Sequence, residues 1–189
     1  MPAGNGATDA RPLDSGSSAS SGPTLVGWPR SIAWSEFDEV SARPAGEKED
    51  AQIASEVEQP QQVAVARAQG QFRVASYEAR LVVHKDLSWV VKSTKSVELL
   101  AHEQGHYDIT GLGGRDMIAD IGRARASSRS DLANDVKAII KRAQEVADKL
   151  TKTYDTDTDH SRKRDRQQKW EQLIASCMQN GTRLTGGPP

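Results

Sequence analysis

Ser96-Val97-Glu98-Leu99-Leu100-Ala101-His102-Glu103-Gln104-Gly105-His106 is the stretch that decides how this chain reads. Ser96 is an N-cap residue, Glu98 puts a carboxylate in the first turn where the helix dipole favours it, and Leu99, Leu100 and Ala101 are good helix formers. On the helix they start, residues four apart lie nearly above one another, so the His102 and His106 imidazoles can donate to one metal ion. Glu103, about 100° further round, leans over the open coordination position. Two imidazoles and a neighbouring carboxylate at this spacing are the donor set of a zinc hydrolase. Zn2+ lowers the pKa of a bound water toward roughly 7, and Glu103 can take its proton as general base and pass it to a leaving amine as general acid. The competing reading is a surface helix with two incidental histidines. The apolar flanks Leu99, Leu100, Ile109 and Leu112 weigh against it, because polar groups in a buried stripe need a partner.

Around this motif, length and composition predict one domain with tails: a disordered leader over 1–23, a folded domain over 24–180 and a flexible tail over 181–189. The leader is Gly, Ser, Ala and Pro with almost no large apolar side chain. A net charge of −1 argues against a dedicated nucleic-acid binder, and the run Arg162, Lys163, Arg164, Arg166, Lys169 reads as a solvated helix face. No apolar run approaches the roughly 18 residues of a membrane span, and no secretory signal is visible. The single cysteine, Cys177, has no internal disulfide partner and falls on an apolar helical stripe, as a small core residue does.

From Leu25 to about Val91 the pattern is short and strand-like, at Trp34–Phe37, Val63–Ala66, Phe72–Val74, Arg80–Val83 and Trp89–Val91, with a turn at Gly70. Pro44, Gly46 and Pro60 make the polar stretch 42–62 a surface loop or short helix. After Ser96 the chain becomes helical. The motif helix runs to about Ala126 with a kink or break near Gly111, Gly113 and Gly114. Leu132, Val136, Ile139, Ile140, Ala143, Val146, Ala147 and Leu150 form the core stripe of a second helix. A last helix, from about Arg162 to Asn180, carries Trp170, Leu173, Ile174, Cys177 and Met178, and Gly181 stops it.

A hydrolytic zinc site needs a third protein ligand and keeps the fourth position for water. Ile109 and Leu112 stand where the extended HExxHxxGxxH pattern requires Gly and His, so that class is excluded. Glu145 falls on the solvent side of its helix. The better source is Tyr154-Asp155-Thr156-Asp157-Thr158-Asp159-His160, read as a loop between the later helices. His160 is the expected third ligand, with Asp155 or Asp157 as the alternatives and carboxylates orienting the imidazoles from behind. A calcium loop is disfavoured, because His160 and Arg166 occupy the positions of its required Gly and Glu. Tyr154 is a candidate oxyanion donor, against the plainer reading of a structural tyrosine. His84, Trp89 and Trp170 read as structural.

Three spaced blocks then carry a resemblance: Ser88-Trp89-Val90; Leu99 through Ile109; and Tyr154 through His160 followed by Gln168-Lys169-Trp170. Together they resemble a family of bacterial secreted zinc-dependent proteases described as a domain of unknown function, and Trp34 and Phe37 fit its N-terminal block. The resemblance covers roughly Trp34 to Ile174. It implies a zincin-like metallopeptidase that takes a peptide or protein substrate. It also implies a secreted or periplasmic setting, whereas the chain as written, with no visible signal, implies the cytoplasm. Tyr107 stands where Phe is usual, Asp157 where Glu is usual and Ser161 where Gly is usual. If the family's acidic position is a ligand, the shorter Asp157 puts that ligation in question.

The resulting expectation is an α+β domain, a small mainly antiparallel N-terminal sheet on three helices, with Zn2+ between the motif helix and the loop before the last helix. Its activity would be peptide hydrolysis, with a free sheet edge near Ser88–Lys92 aligning an extended peptide. The alternatives are a non-catalytic, zinc-stabilised binding module, whose site four protein ligands would close, and a metal-dependent hydrolase of some other bond.

Overall fold

The structure, a computed structural model, describes residues 22–189. The expected leader therefore falls on residues outside the described ones, except that Gly22 and Pro23 already open the first strand. The architecture is α+β: an N-terminal β region followed by three helices.

Among the described residues, seven short to medium strands form two sheets. In the first, β6 (Gln71–Val83) is the spine. β1 (Gly22–Val26) pairs with it in parallel on one flank. On the other flank, β5 (Ala64–Ala68) and β4 (Ser55–Glu58) pair antiparallel in succession. β5 and β6 form a hairpin whose turn residues, Gln69 and Gly70, both have positive φ, the backbone a tight two-residue turn demands. In the second sheet β7 (Trp89–Val91) lies between β2 (Asp38–Val40), parallel to it, and β3 (Ala51–Gln52), antiparallel. The sheets are thus mixed rather than mainly antiparallel. Trp34–Glu36 is a 3-10 turn instead of a strand. β3 and β4 arise within the polar stretch that reads as a loop, because such short, half-exposed strands leave almost no alternation to detect. The expected free edge at Ser88–Lys92 does not exist: β7 is paired on both sides.

The first helix, α1 (Val97–Arg123), begins where Ser96 Oγ accepts from the Leu99 N–H. It runs unbroken through its glycines. At Gly111 the reason is packing: the Trp28 indole lies so close that a Cβ would stand 2.4 Å from it. Thirteen of the 27 residues of α1 are buried, and that makes it the central element. Its N-terminal part packs with Phe37, Ala51, Leu81 and Val90, its C-terminal part with Val74, Tyr77 and Leu132, and its middle with Leu150, Trp170 and Ile174.

The second helix, α2 (Arg129–Thr158), is capped by Ser128 and runs two turns further than the sequence suggests. Leu150, Tyr154 and Thr158 are its buried residues at spacing four, and this stripe carries the helix through the Asp- and Thr-rich segment. α3 (Arg164–Asn180) ends at Gly181 in the left-handed conformation, as expected. Cys177 and Trp170 are core residues. The 181–189 segment packs on the body: Leu184 is buried beside Trp170 and Cys177, and Arg115 Nη2 donates to the Thr182 carbonyl at 2.7 Å. Among the described residues no helix is long and apolar enough to cross a membrane.

Candidate metal centre

α1 and the last two turns of α2 cross so that His102, His106 and Asp155 face one another. His102 Nε2 lies 3.2 Å from Asp155 Oδ1, His106 Nε2 2.8 Å from the same oxygen, and the two Nε2 atoms are 3.3 Å apart. Tetrahedral zinc with bonds near 2.0–2.1 Å spaces its ligand atoms by about 3.3–3.4 Å, so this triangle needs to open by at most about half an ångström.

The hydrogen bonds behind His102 fix which nitrogen faces the triangle. Gln167 Nε2 donates to the Tyr154 hydroxyl at 2.6 Å and to Glu171 Oε1 at 3.1 Å, leaving Gln167 Oε1 to accept from His102 Nδ1 at 3.1 Å. His102 Nδ1 therefore donates to Gln167, and Nε2 is the nitrogen turned toward Asp155 and His106. His106 Nε2 is placed to donate to the same Asp155 oxygen.

Two carboxylates border the triangle with opposite electrostatics. Glu103 is 1% exposed, and burial pushes its pKa up to about 7, against the lowering effects of His102 and of the Ile53 N–H, which donates to Glu103 Oε2 at 2.8 Å. For Asp155 burial acts upward too, but the bonds and charges of His102 and His106 outweigh it and hold the carboxyl well below the usual range.

The remaining candidates are placed differently from expectation. His160 follows the end of α2 in a run of three left-handed residues, Asp159, His160 and Ser161. Its buried Nδ1 makes no hydrogen bond and stands 3.1 Å from Glu49 Oε1 and 3.7 Å from Asp155 Oδ1. It groups with Glu49 and Asp155 rather than with the imidazole pair. The position expected for His160 is thus held by Asp155, because helix continues to Thr158 and turns Asp155 toward α1. Asp157 points away and binds Arg166 Nη2 at 2.8 Å and Trp170 Nε1 at 3.2 Å.

Tyr154 is no oxyanion donor in this arrangement. Its ring stacks on His102 at 4.6 Å, its hydroxyl donates to the His102 carbonyl at 3.3 Å and accepts from Gln167, and it is fully buried. Gly105 makes this stacking possible, since a Cβ there would stand 2.3 Å from the Tyr154 oxygen. His84 lies outside the centre, paired with Glu56 at 3.2 Å, and Glu145 is exposed beside Lys141. Sequence reasoning missed Gln167 and Glu49. Gln167 had a signal, a polar residue on the same stripe as Trp170, Ile174 and Cys177; Glu49 had none.

A cleft of about 830 Å³ opens from Glu103, His106 and Asp155 and runs between β4 and α2 along α1. Neither the curated proteins nor the solved structures contain a match to the chain. Residues 73–161, from β6 through the left-handed turn after α2 and including His102, Glu103, His106, Asp155 and His160, match the family model described as "Bacterial protein of unknown function (DUF922)".

Proposed function

We propose that this protein is a zinc-dependent, zincin-like metallopeptidase whose metal is held by His102 Nε2, His106 Nε2 and Asp155. The observation that carries the reading is the convergence of these three atoms within 2.8–3.3 Å, with His102 Nε2 turned inward by the Gln167 bond to Nδ1. Zinc bound there supplies Lewis acidity, lowering the pKa of water toward roughly 7 and polarising a carbonyl. The chain's own residues do the rest. Glu103, held by the Ile53 N–H, accepts the proton of the attacking water and returns it to the leaving amine. Gln167 and Tyr154 fix the His102 ring, and His160, next to Glu49, approaches the Asp155 oxygen that faces the imidazoles. The cleft beside Glu103 supports a substrate that lies along β4, whose second flank pairs with no strand among the described residues.

A non-catalytic, zinc-stabilised module is the second reading, favoured by the presence of His160 and Glu49 beside Asp155, which offers atoms enough to close the site. One variant separates the two. Glu103→Gln is expected to retain zinc and fold while peptide cleavage falls at least about a hundredfold, the usual scale of lost acid–base assistance. Equal metal-dependent cleavage by both proteins contradicts the mechanism. Zinc retention with no cleavage by either favours the module.

A further inference from the structure

The cleft contains more than the metal centre requires, and its two walls differ in chemistry. His84 N–H donates to the Ala54 carbonyl at 2.8 Å, which sets the register of β4 on β6. In that register Glu56 and Glu58 turn their backbone groups toward β6, whereas Ser55 and Val57 turn theirs toward the open flank. Gln59 Nε2 already donates to the Val57 carbonyl there, at 2.6 Å. Side chains alternate correspondingly. Val57 faces α1, where it packs on Gly114, while Glu56 and Glu58 lie on the outer face with His84.

A strand laid along this flank therefore has two kinds of neighbour. Its inward side chains descend toward Gly113, Met117, Ile140, Ala143 and Ala147, small or apolar residues of α1 and α2. Its outward side chains stand beside Glu56 and Glu58 at about 4.5–5.5 Å between Cβ atoms. Glu58 has no ion-pair partner among the described residues, and the 64% exposed Glu56 has only His84. No Lys or Arg lines the cleft, and Asp148 on its α2 wall is also unpaired among the described residues. The chain as a whole carries a net charge of only −1, so the negative potential is local.

We propose that the cleft takes an extended peptide in which basic side chains alternate with apolar ones. The basic ones stand beside Glu56 and Glu58, and the apolar ones rest on the Met117 and Ala143 floor. Ile53 is tied to Glu103, and strands rise about 3.3 Å per residue, so these subsites lie roughly three to five residues from the bond to be cut. The inference rests on the peptidase reading for its catalytic end, and a binding measurement tests it separately.

The experiment uses full-length Glu103→Gln protein loaded with zinc and fluorescein-labelled eight-residue peptides alternating Val with Lys, Gln or Glu, together with a Lys/Ser peptide. Anisotropy at low salt is expected to rank Lys/Val first, about tenfold tighter than Glu/Val, with the gap closing at high salt. Lys/Ser should bind more weakly than Lys/Val. The surface double variant E56Q/E58Q should bring Lys/Val to the level of Gln/Val, and Ala147→Phe should weaken every Val peptide. Equal binding of the three Val peptides, no binding of any, or an unchanged ranking in E56Q/E58Q overturns the proposal. Cleavage by the wild type without this ranking removes the specificity and leaves the peptidase. The ranking without any wild-type cleavage removes the peptidase and leaves the docking cleft.

Discussion

The two halves of the proposed metal centre are built in opposite ways. The α1 half is set in the middle of the protein, with core on every side, and its carboxylate, Glu103, is stripped of solvent until it holds a proton near neutrality. The α2 half is the end of a helix that buries only four of its 30 residues, and its carboxylate, Asp155, is kept ionised by two imidazoles. Environments that push two carboxylates apart also divide their tasks: the one that can exchange a proton is suited to acid–base work, and the one that stays charged is suited to hold a cation. Rigidity follows the same division. His102 and Glu103 are fixed by burial, whereas Asp155 sits just before the left-handed turn, beside His160 and Glu49.

The sharpest way to break this comparison is to remove ligands from each half. His106→Ala and Asp155→Ala should each weaken zinc binding by more than about a hundredfold, while His160→Ala should cost about 10–100-fold, the usual range for a group behind the ligands. Competition with a chromophoric chelator reads all three. A His160→Ala loss as large as that of Asp155→Ala would make His160 a ligand.

The opposed pKa shifts give a second test, in metal-free protein. Glu103 is raised from 4.5 to about 7, so its favourable contribution is complete below pH 4.5 and is lost as pH rises through about 7. Asp155 is lowered, so its contribution is present above its unfolded value and is lost only in acid. Between pH 4.5 and 7.5 the stability of the wild type relative to Glu103→Gln should therefore fall by up to about 3 kcal/mol, at 1.36 kcal/mol per pKa unit. Urea melts in chelator measure it. A flat difference would mean that Glu103 is not buried as described.

Glycine substitutions produce the smallest effects and separate packing from helix propensity. Gly105→Ala drives a Cβ into Tyr154 and should cost about 1–3 kcal/mol and loosen zinc. Gly113→Ala meets Ala147 Cβ at 3.5 Å and the Ala143 carbonyl oxygen at 4.0 Å, both ordinary contacts, and should be neutral or stabilising by up to about 1 kcal/mol. Thermal melts of the two variants side by side check this, and equal destabilisation would contradict the close stacking of Tyr154.

Most of the α1 half was legible in the sequence, because Ser96, the apolar flanks and the four-residue spacing of His102 and His106 all specify one local structure. The α2 half was not. Asp155, Thr156, Asp157 and Thr158 read as a loop, and only the burial of Tyr154 and Thr158 below Leu150, which needs the partner helices, makes them helical. The same dependence hid the role of the glycines. Gly111 reads as a weak point until Trp28, distant in sequence, is placed on it. β3 and β4, which position Ile53 against Glu103 and form the cleft wall, are too short and polar to carry a periodic signal.

In the proposed centre His102, His106 and Asp155 hold zinc, with Glu103 beside an open position. A crystal structure of the zinc-loaded protein tests it most directly. The account predicts one zinc per centre, within about 2.0–2.2 Å of His102 Nε2, His106 Nε2 and an Asp155 oxygen, with a non-protein ligand on the Glu103 side. Zinc bound by His160 in place of Asp155, a site closed by four protein ligands, or no zinc at this triangle would contradict it.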